Sequence, residues 1–358
     1  MSGLAEVIRR RIAQTGPMPV SDYMALCLSH PEHGYYVTRD PLGRAGDFIT
    51  APEISQIFGE LIGLWAAEVW RGLGAPARVI LAELGPGRGT LMADALRAGG
   101  QVPGFAAAAE VVLVEVSPVL RAAQARAVPG ARWVDGVADL PDEAPLIVIA
   151  NEFFDALPIR QWVRRGGRWR ERMVGLQGDR LVWGLGPSVA GPDAPDGAVR
   201  EESPQAQAVA AEIGRRLAAQ GGAALILDYG AEAPEAGGGD TLQALRAHAP
   251  ADPLEAPGKS DLTAHVDFAA LADAARAAGA RACPLLTQGV FLERLGITAR
   301  ARALARAAAG RGDAATAGAV AAAHRRLTHP DQMGVLFKAL CLHAPHSPVP
   351  PGFEEDRR

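Results

Sequence analysis

A short apolar segment that runs directly into a glycine-rich turn constrains the fold of this 358-residue chain more than any other feature. Val79–Leu84 has the length and composition of a buried strand, and residues 85–90 follow it as Gly-Pro-Gly-Arg-Gly-Thr. A helical pattern then continues to about Leu96. Glycine permits both the tight turn and a close approach of the backbone to a ligand, because a Cβ atom would block them. The segment therefore predicts a strand–turn–helix unit of an α/β protein that binds a nucleotide-like ligand.

The spacing of the glycines separates two classes of ligand. A dinucleotide site has the pattern G-x-G-x-x-G/A and binds pyrophosphate at the helix N-terminus. Here the third glycine comes one residue early, and a threonine stands where that pattern has its last glycine. The acid before the turn is unfavourable near pyrophosphate but suits the ammonium group of S-adenosylmethionine. We therefore expect S-adenosylmethionine here, bound by Glu83, Gly85, Gly87, Gly89 and Thr90, with a turn that binds no ligand as the structural alternative.

Acidic residues follow the next two predicted strands. Val111–Val116 carries Glu115 near its carboxyl end, where a carboxylate can accept hydrogen bonds from both ribose hydroxyls. Asp135 follows the short strand Arg132–Val134, at a place where the adenine amino group could be bound. The alternative for each acid is a solvated position at the end of a strand. The pattern of apolar strands separated by helices predicts parallel βαβ units, so both acids are expected at the edge of the sheet that carries the glycine turn.

The loop after the fourth predicted strand, Leu146–Ala150, is expected to face the methyl group that is transferred. Residues 151–158 read Asn-Glu-Phe-Phe-Asp-Ala-Leu-Pro, a polar and acidic cluster with two phenylalanines. Ligands of open α/β sheets bind outside the carboxyl ends of the strands. We assign Asn151 to the cofactor site and Glu152 to the reaction site, with the start of a capped helix as the alternative.

The remaining pattern predicts how the chain is organised around this sheet. Helical segments over 1–76 predict an N-terminal extension that also serves as the lid of the active site, and 77–345 is expected to be the core. Segments joined by Gly-Gly and Gly-Asp turns predict an antiparallel insertion at about 159–200. A second insertion at about 231–330 combines a Gly/Pro-rich loop with helices, and 346–358 is expected to be a disordered tail.

Composition and charge exclude several classes of protein. The net charge is −4, from 36 basic and 40 acidic residues, whereas nucleic-acid binding needs a basic surface. The arginines and tryptophans of 160–172 are therefore interpreted as a solvated hairpin face, or as a docking surface for an acidic protein. Three widely separated cysteines predict neither a disulfide framework nor a metal site. The N-terminus lacks a signal-peptide pattern and no apolar run is long enough to span a membrane, so we expect a soluble cytoplasmic protein.

Seven sequence blocks together resemble the MidA family, whose mitochondrial members are arginine methyltransferases that assist the assembly of respiratory complex I. The blocks occur in family order and span most of the chain. They are His-Pro-Glu-His-Gly-Tyr-Tyr at 30–36, Gly-Asp-Phe-Ile-Thr-Ala-Pro-Glu-Ile-Ser at 46–55, the glycine turn at 83–90, Val-Glu-Val-Ser-Pro at 114–118, the acidic loop at 151–158, Leu-Asp-Tyr-Gly at 227–230 and Gly-Val-Leu-Phe-Lys at 334–338. The resemblance implies a Rossmann-like class I methyltransferase sheet, S-adenosylmethionine as the cofactor and an arginine of a protein, a complex I subunit, as the methyl acceptor.

An arginine acceptor requires acids that converge on its guanidinium group. This group stays protonated in water, so carboxylates that bind two of its nitrogens are needed to direct the third toward the methyl group. Glu152 is the first catalytic candidate, and Asp155, Asp47 and Glu53 are the others. Helix capping is an equal alternative for Glu53, which directly follows a proline.

Further residues are assigned to the substrate side of the site and to the cofactor. The tyrosine pair could stack on the cation or close the lid, although core packing of at least one of them is the safer interpretation. Ser117, in the block around Glu115, completes the cofactor set. The substrate candidates are Tyr35, Tyr36, Phe153, Asp228 and Tyr229.

Other functions remain as alternatives at this point. The first is an assembly chaperone for complex I that keeps the cofactor fold without catalysis, although the glycine turn and Glu115 would then have no purpose. The second is methylation of another macromolecule or of a small molecule. The long N-terminal part and the insertions argue against a small substrate, and the charge argues against RNA. A Rossmann oxidoreductase is the third, and Thr90 argues against it. The pattern leaves the oligomeric state open.

Overall fold

The computed structural model describes residues 3–38, 50–233 and 239–354 of the chain. Its helices are α1 (Gly3–Thr15), α2 (Val20–Ser29), α3 (Tyr35–Thr38), α4 (Ala51–Ile54), α5 (Gln56–Gly72), α6 (Thr90–Gly99), α7 (Phe105–Ala108), α8 (Pro118–Ala127), α9 (Pro204–Gln220), α10 (Phe268–Ala277), α11 (Gln288–Arg294), α12 (Ile297–Gly310) and α13 (Ala314–Thr328). Its strands are β1 (Met18–Pro19), β2 (Val79–Leu84), β3 (Ala109–Val114), β4 (Arg132–Val134), β5 (Leu146–Asn151), β6 (Arg160–Arg165), β7 (Arg168–Gln177), β8 (Arg180–Val189), β9 (Val199–Glu202), β10 (Gly222–Ala231), β11 (Gln243–Arg246), β12 (Ala249–Ala251), β13 (Asp261–Thr263), β14 (Val266–Asp267), β15 (Arg281–Ala282), β16 (Leu286–Thr287) and β17 (Phe337–His343).

A twisted central sheet has the strand order β15-β17-β10-β5-β2-β3-β4. Strands β4, β3, β2, β5 and β10 run parallel, and β17 runs antiparallel to β10. Every residue of β2 and β5 is buried, because helices cover both faces of the sheet. The path of the chain reverses between β2 and its neighbour β5, which is the point where such sheets bind ligands. The predicted α/β fold is confirmed.

Apolar helices cover the two faces of this sheet. On one face α5, α6, α11 and α12 pack around Trp65, and on the other α9 and α10 pack through Ile213 and the aromatic side chain at the start of α10. Each fully buried Leu, Ile or Phe side chain contributes about 1.5–3 kcal/mol. Helices α5 and α6 approach closely because α5 has Gly63 at the contact, where a Cβ would lie 2.1 Å from the carbonyl oxygen of Ala95. This packing fixes α6, and with it the glycine turn that precedes it.

A second sheet consists of β1 and of strands from the predicted antiparallel insertion, and the N-terminal helices pack against it. Its order is β1-β7-β6-β9, with β8 paired to β7. Met18 of β1 pairs with Val174 of β7, and Leu4 and Ile8 of α1 pack in the same apolar cluster. Helix α5, however, packs on the central sheet. The predicted N-terminal extension over 1–76 is therefore divided between two cores, because its apolar helices find different sheets.

Several arginines of the second sheet form ion pairs. The guanidinium of Arg160 binds both carboxylate oxygens of Glu171, at 2.7 and 2.8 Å, and lies 4.9 Å from the ring centroid of Trp162. Arg172 Nη1 lies 2.6 Å from Asp240 Oδ2. These guanidinium groups are neutralised and stacked, so the interpretation of this hairpin as a simply solvated arginine face is only partly right.

The C-terminal segment packs against the core as far as it is described, up to Glu354. The ring of Phe353 is buried and lies 5.1 Å from that of Phe291 in α11, and Arg294 Nη1 donates to the carbonyl oxygen of Gly352 at 3.0 Å. The expectation of a disordered tail over 346–358 is therefore wrong for residues 346–354, because burial of the phenylalanine anchors them. Residues 355–358 lie outside the described part.

Candidate active site

A cavity of about 530 Å³ opens at the carboxyl ends of β2, β3 and β5. The volume is in the range of sites that enclose small-molecule ligands. Its walls come from the glycine turn, the segments that follow β3, β4 and β5, the end of α2, helix α4 and two residues of α9. The cavity therefore lies where the parallel sheet and the sequence both predict a ligand.

The glycine turn forms the floor of this cavity. Gly85, Gly87 and Gly89 have φ angles of +58°, +55° and +83°, in the left-handed region that favours glycine. Gly85 and Gly87 line the cavity. Gly89 stands at the start of α6, where a Cβ would lie 3.3 Å from side chains of α8 and the residue after it, so it shapes the turn from behind. A side chain at Gly85 would meet the ring of Phe153 at 3.0 Å, so the backbone surface offered to a ligand depends on glycine.

Two buried polar groups in the wall lack a hydrogen-bond partner within the described part of the chain. These are Oε2 of Glu83 and Oδ1 of Asn151, on side chains that are 3% and 8% exposed. Burial raises the pKa of Glu83 to about 8, although the backbone N–H of Met92 lowers it somewhat. Buried acceptors of this kind are costly unless a donor meets them. Both groups line the cavity, and a ligand with a cationic or N–H donor group would satisfy them.

Glu115 lines the cavity just after the end of β3. Its Oε1 accepts from the backbone N–H of Ser117 at 2.8 Å, and its Oε2 from Nε2 of Gln124 at 3.1 Å. Burial raises its pKa, and these hydrogen bonds oppose the rise. A carboxylate held in this way has lone pairs left for two ribose hydroxyls. Asp135 also lines the cavity, at its rim, where Arg121 Nη2 binds it at 2.6 Å.

Two residues that were predicted to bind the cofactor make hydrogen bonds within the protein instead. Ser117 is fully buried and does not line the cavity; its Oγ caps α8, accepting from Leu120 N at 3.4 Å. The side chain therefore supports the turn that carries Glu115, because the chain reverses there. Thr90 does line the cavity, but its hydroxyl donates to Oε1 of Glu53 at 2.6 Å.

The carboxylates of Glu53 and Glu152 lie in the wall of the same cavity. Glu152 has φ +50°, a strained conformation for a residue with a side chain, and such strain is concentrated at functional sites. Its Oε1 accepts from the backbone N–H of Ala51 at 2.9 Å and from Nδ2 of Asn151 at 3.1 Å. Burial raises its pKa to about 7. Because Ala51 begins α4, Glu152 holds the short helix that carries Glu53 against the cavity.

Asp155 and Asp228 lie behind this wall. Asp228 is fully buried, and its Oδ2 accepts from the backbone N–H groups of Phe153, Phe154 and Asp155 at 3.2, 3.0 and 3.3 Å. It holds the loop after β5 in shape, so the prediction that it contacts substrate is wrong. Asp155 is 6% exposed, and burial raises its pKa to about 6. It does not line the cavity as described, so its catalytic assignment has no geometric support.

The aromatic candidates divide in the same way. Tyr36 and Phe153 line the cavity, and the hydroxyl of Tyr36 donates to Oδ1 of Asp261 at 2.8 Å. Tyr35 is fully buried and packs edge-on against Tyr36, as expected for one tyrosine of the pair. Tyr229 packs against aromatic rings behind the wall, which contradicts its assignment to substrate. Asp47, the remaining catalytic candidate, lies outside the described residues.

The site also contains residues that the sequence did not reveal. Gln124, in the middle of α8, donates to both the glycine turn and Glu115. Leu28 and Ser29 at the end of α2, and Gln205 and Val209 of α9, line the cavity. Each of these residues lies in an ordinary helical pattern. The possible signal in the sequence was the glutamine among the alanines and arginines of α8. With four glutamates in its wall, the cavity suits a cationic ligand.

Comparisons with known proteins agree with this geometry. A family model described as "Putative S-adenosyl-L-methionine-dependent methyltransferase" matches residues 61–285. A protein of Drosophila melanogaster named "Protein arginine methyltransferase NDUFAF7 homolog, mitochondrial" is 36% identical over 95% of this chain and 84% of its own length. The human protein of the corresponding name is 37% identical over 82% of this chain and 73% of its own length. A crystal structure from Burkholderia thailandensis with bound S-adenosyl-homocysteine has a TM-score of 0.87 and 30% identity, and covers 99% of this chain and 95% of its own.

The names of these relatives correct one prediction from the sequence. The relatives from fly, mouse and human are named mitochondrial, which contradicts the expected cytoplasmic location. Within residues 3–38, 50–233 and 239–354, no helix combines the length and hydropathy needed to cross a bilayer. Over the same ranges, no group of three or more His, Cys, Asp or Glu side chains is arranged to hold a metal ion.

Proposed function

This chain belongs to the family of S-adenosylmethionine-dependent methyltransferases whose model it matches, and we propose that it methylates an arginine of a protein subunit of respiratory complex I. The observation that carries the arginine specificity is the pair of carboxylates, Glu53 and Glu152, in one cavity wall beside the glycine turn. The names of the mitochondrial relatives support a protein arginine as the acceptor. The resemblance to the MidA family supports complex I as its source.

The residues around the glycine turn fit S-adenosylmethionine. The unpaired Oε2 of Glu83 suits the cofactor's ammonium group, and Gly85 and Gly87 let the backbone approach its methionine part. Glu115 suits the ribose hydroxyls, and Asp135 the adenine amino group. When bound, the cofactor supplies an electrophilic methyl group for in-line displacement, so the protein's main task is to position the acceptor.

The two carboxylates of the wall would bind and orient the guanidinium. Glu152 directs one oxygen to the backbone N–H of Ala51, and among the described residues its second oxygen accepts no hydrogen bond that would compete with a substrate. Glu53 keeps one oxygen on Thr90. Two acids that each contact a guanidinium nitrogen leave the third nitrogen to meet the methyl group. Because the N–C bond forms as an N–H proton leaves, Glu152, with a pKa of about 7, can accept that proton.

The aromatic residues of the wall contribute to the same arrangement. Tyr36 and Phe153 line the same cavity as the two acids, and an aromatic face beside a guanidinium gains about 0.5–2 kcal/mol. Asp228 acts indirectly, because it holds the backbone of the loop that presents Glu152 and Phe153. A loop fixed by three hydrogen bonds to one carboxylate keeps the acceptor site preorganised.

A labelling experiment tests the proposal. The purified chain is incubated with tritium-labelled S-adenosylmethionine and a complex-I-containing extract of cells that lack this gene, and labelled proteins are identified by mass spectrometry. We expect methylarginine in one subunit. Glu152→Gln keeps an amide oxygen for Ala51 but lacks the charge, so transfer should fall by roughly a hundredfold while cofactor binding, measured by calorimetry, stays intact.

Glu143→Gln is the matched control, because Glu143 precedes β5 at the opposite end of the same strand and is exposed. It should label like the unaltered protein. Label on RNA, on a small molecule or on a residue other than arginine would refute the proposal. An assembly chaperone would be favoured if the purified protein binds the cofactor but labels no product, while complex I assembly in cells still needs this gene.

A further inference from the structure

We infer that Gln124 is a positioning residue of the cofactor site, which holds the glycine turn and the ribose-binding acid at a set separation. The inference rests on the proposed cofactor site and adds a residue to it. Gln124 lies on α8, does not line the cavity, and would act on the cofactor only through its neighbours.

The amide of Gln124 joins three separate segments. Its Nε2 donates to the carbonyl oxygen of Gly87 at 2.8 Å and to Oε2 of Glu115 at 3.1 Å. Its Oε1 accepts from the indole N–H of Trp133, on β4, at 2.8 Å. The side chain is fully buried, so no water competes for these bonds. The turn that faces the methionine part and the acid that faces the ribose are thus tied through one group.

The chemistry of this position requires an amide. Both acceptors, a carbonyl and a carboxylate, need N–H donors, and an NH₂ group supplies two. The indole N–H needs an acceptor on the other side, which fixes the orientation of the amide. A carboxylate here would face Oε2 of Glu115 and the Gly87 oxygen without a proton to share, and an apolar side chain would leave three polar groups unpaired.

Glu115 is held on its other side by independent contacts. Its Oε1 accepts from Ser117 N at 2.8 Å, and its backbone carbonyl accepts from Arg121 Nε at 2.7 Å. The position of the backbone at residue 115 therefore does not depend on Gln124. What Gln124 determines is the direction of Oε2, together with the position of the Gly87 carbonyl. Loss of its amide should change cofactor affinity more than it changes the fold.

The variant Gln124→Glu gives this inference a test that depends on pH. At about pH 7.5 its carboxylate repels that of Glu115, so the Kd for S-adenosyl-homocysteine should rise by roughly ten- to a hundredfold over the unaltered protein. At about pH 5.5 the buried pair shares a proton, and a carboxyl O–H can replace one lost N–H donor. At this lower pH the ratio of the Kd of Gln124→Glu to the Kd of the unaltered protein should fall toward one. Isothermal calorimetry at both pH values measures it.

Controls separate this role from general damage to the fold. Gln101→Glu makes the same change at an exposed position before α7 and should bind like the unaltered protein at both pH values. In methylation assays Gln124→Glu should raise KM for the cofactor and leave kcat and the KM for the protein substrate nearly unchanged. Gln124→Met has no group that can take up a proton, so its binding of S-adenosyl-homocysteine should be weak at both pH values while its circular dichroism spectrum remains native.

The outcomes distinguish this inference from the proposed function. If the unaltered protein binds no S-adenosyl-homocysteine, the cofactor site itself is refuted. If the unaltered protein binds S-adenosyl-homocysteine, and Gln124→Glu binds it with the same Kd as the unaltered protein at both pH values, Gln124 has no positioning role. If Gln124→Glu loses the same affinity at both pH values and also has a lowered melting temperature, Gln124 is only a structural residue, which would also overturn the inference.

Discussion

Replacement of Glu60 by glutamine should destabilise the fold in a way that depends on pH. Glu60 lies on α5 with only 3% of its surface exposed. Its Oε1 accepts from Arg97 Nη1 of α6 at 2.8 Å, and its Oε2 from Arg300 Nε of α12 at 2.8 Å. One carboxylate thus joins three helices on the same face of the central sheet. In Glu60→Gln the amide can keep one of these bonds, but its NH₂ group then faces the other arginine.

The magnitude follows from the exposure of the partners. A hydrogen bond to a charged group contributes about 1.5–3 kcal/mol, but the side chains of Arg97 and Arg300 are 50% and 43% exposed, so solvent screens both pairs. We expect a loss of about 2 kcal/mol in the free energy of unfolding at pH 7. Glu68→Gln on the same helix is the matched control: Glu68 pairs with Arg71 at the surface and should cost less than about 1 kcal/mol.

The pH dependence has a definite sign. Burial alone raises the pKa of Glu60, but the hydrogen bonds from Arg300 and Arg97 outweigh it, and the pKa lies below its ordinary value of 4.5. The unfolded chain therefore binds a proton before the folded chain does, so the contribution of Glu60 is complete above pH 4.5 and is lost as the pH falls through the folded pKa.

Urea titrations followed by circular dichroism, at several pH values between neutral and about pH 3.5, measure this difference. The gap between the unaltered protein and Glu60→Gln should be constant down to the ordinary pKa and narrow below it. A gap that does not change with pH, or one no larger than that of Glu68→Gln at pH 7, would refute the reasoning.

The other predictions concern the cofactor site. Gly85→Ala should weaken binding of S-adenosylmethionine by roughly tenfold, because the left-handed conformation costs a residue with Cβ about 1–2 kcal/mol and the new atom meets Phe153; calorimetry measures it, with circular dichroism as the check on folding. Glu115→Gln should raise the Kd by roughly ten- to a hundredfold in equilibrium dialysis, since an amide oxygen can accept from Ser117 or from Gln124 but not from both. S-adenosylmethionine at a hundred times its Kd should add about 2.7 kcal/mol to the free energy of unfolding of the unaltered protein. If the cofactor raised the melting temperature of Gly87→Val by the same amount, this result would contradict the site.

Much of the core could be predicted from local pattern. The strands at 79–84, 132–134 and 146–150 agree with the structure within one residue, because a strand buried on both faces must be a short continuous apolar run. The cavity was predicted at the correct edge because parallel strands meet there. Gly85, Glu115 and Glu152 were expected at this edge because each directly follows a strand of that sheet, and all three line the cavity.

The errors have a common physical cause, which is the direction in which a side chain points from a backbone position that the sequence predicts correctly. Asp228 lies near the carboxyl end of β10, and Glu152 directly follows the neighbouring strand β5. Asp228 nevertheless turns inward to three backbone N–H groups, while Glu152 lines the cavity. Tyr35 and Tyr36 are adjacent, and only the second reaches the cavity wall. Neither difference can be read from residue type or spacing.

Local spacing along the chain was enough to establish the α/β sheet, the glycine turn and the kind of ligand that its acids accept, since these depend on neighbours only a few residues apart. The contacts that complete the site join residues far apart in the chain. Glu152 meets the backbone of Ala51, Thr90 meets Glu53, and Gln124 meets Gly87. Such pairs form because helices α4, α6 and α8 pack at one edge of the sheet, and packing of that kind leaves no mark on local sequence.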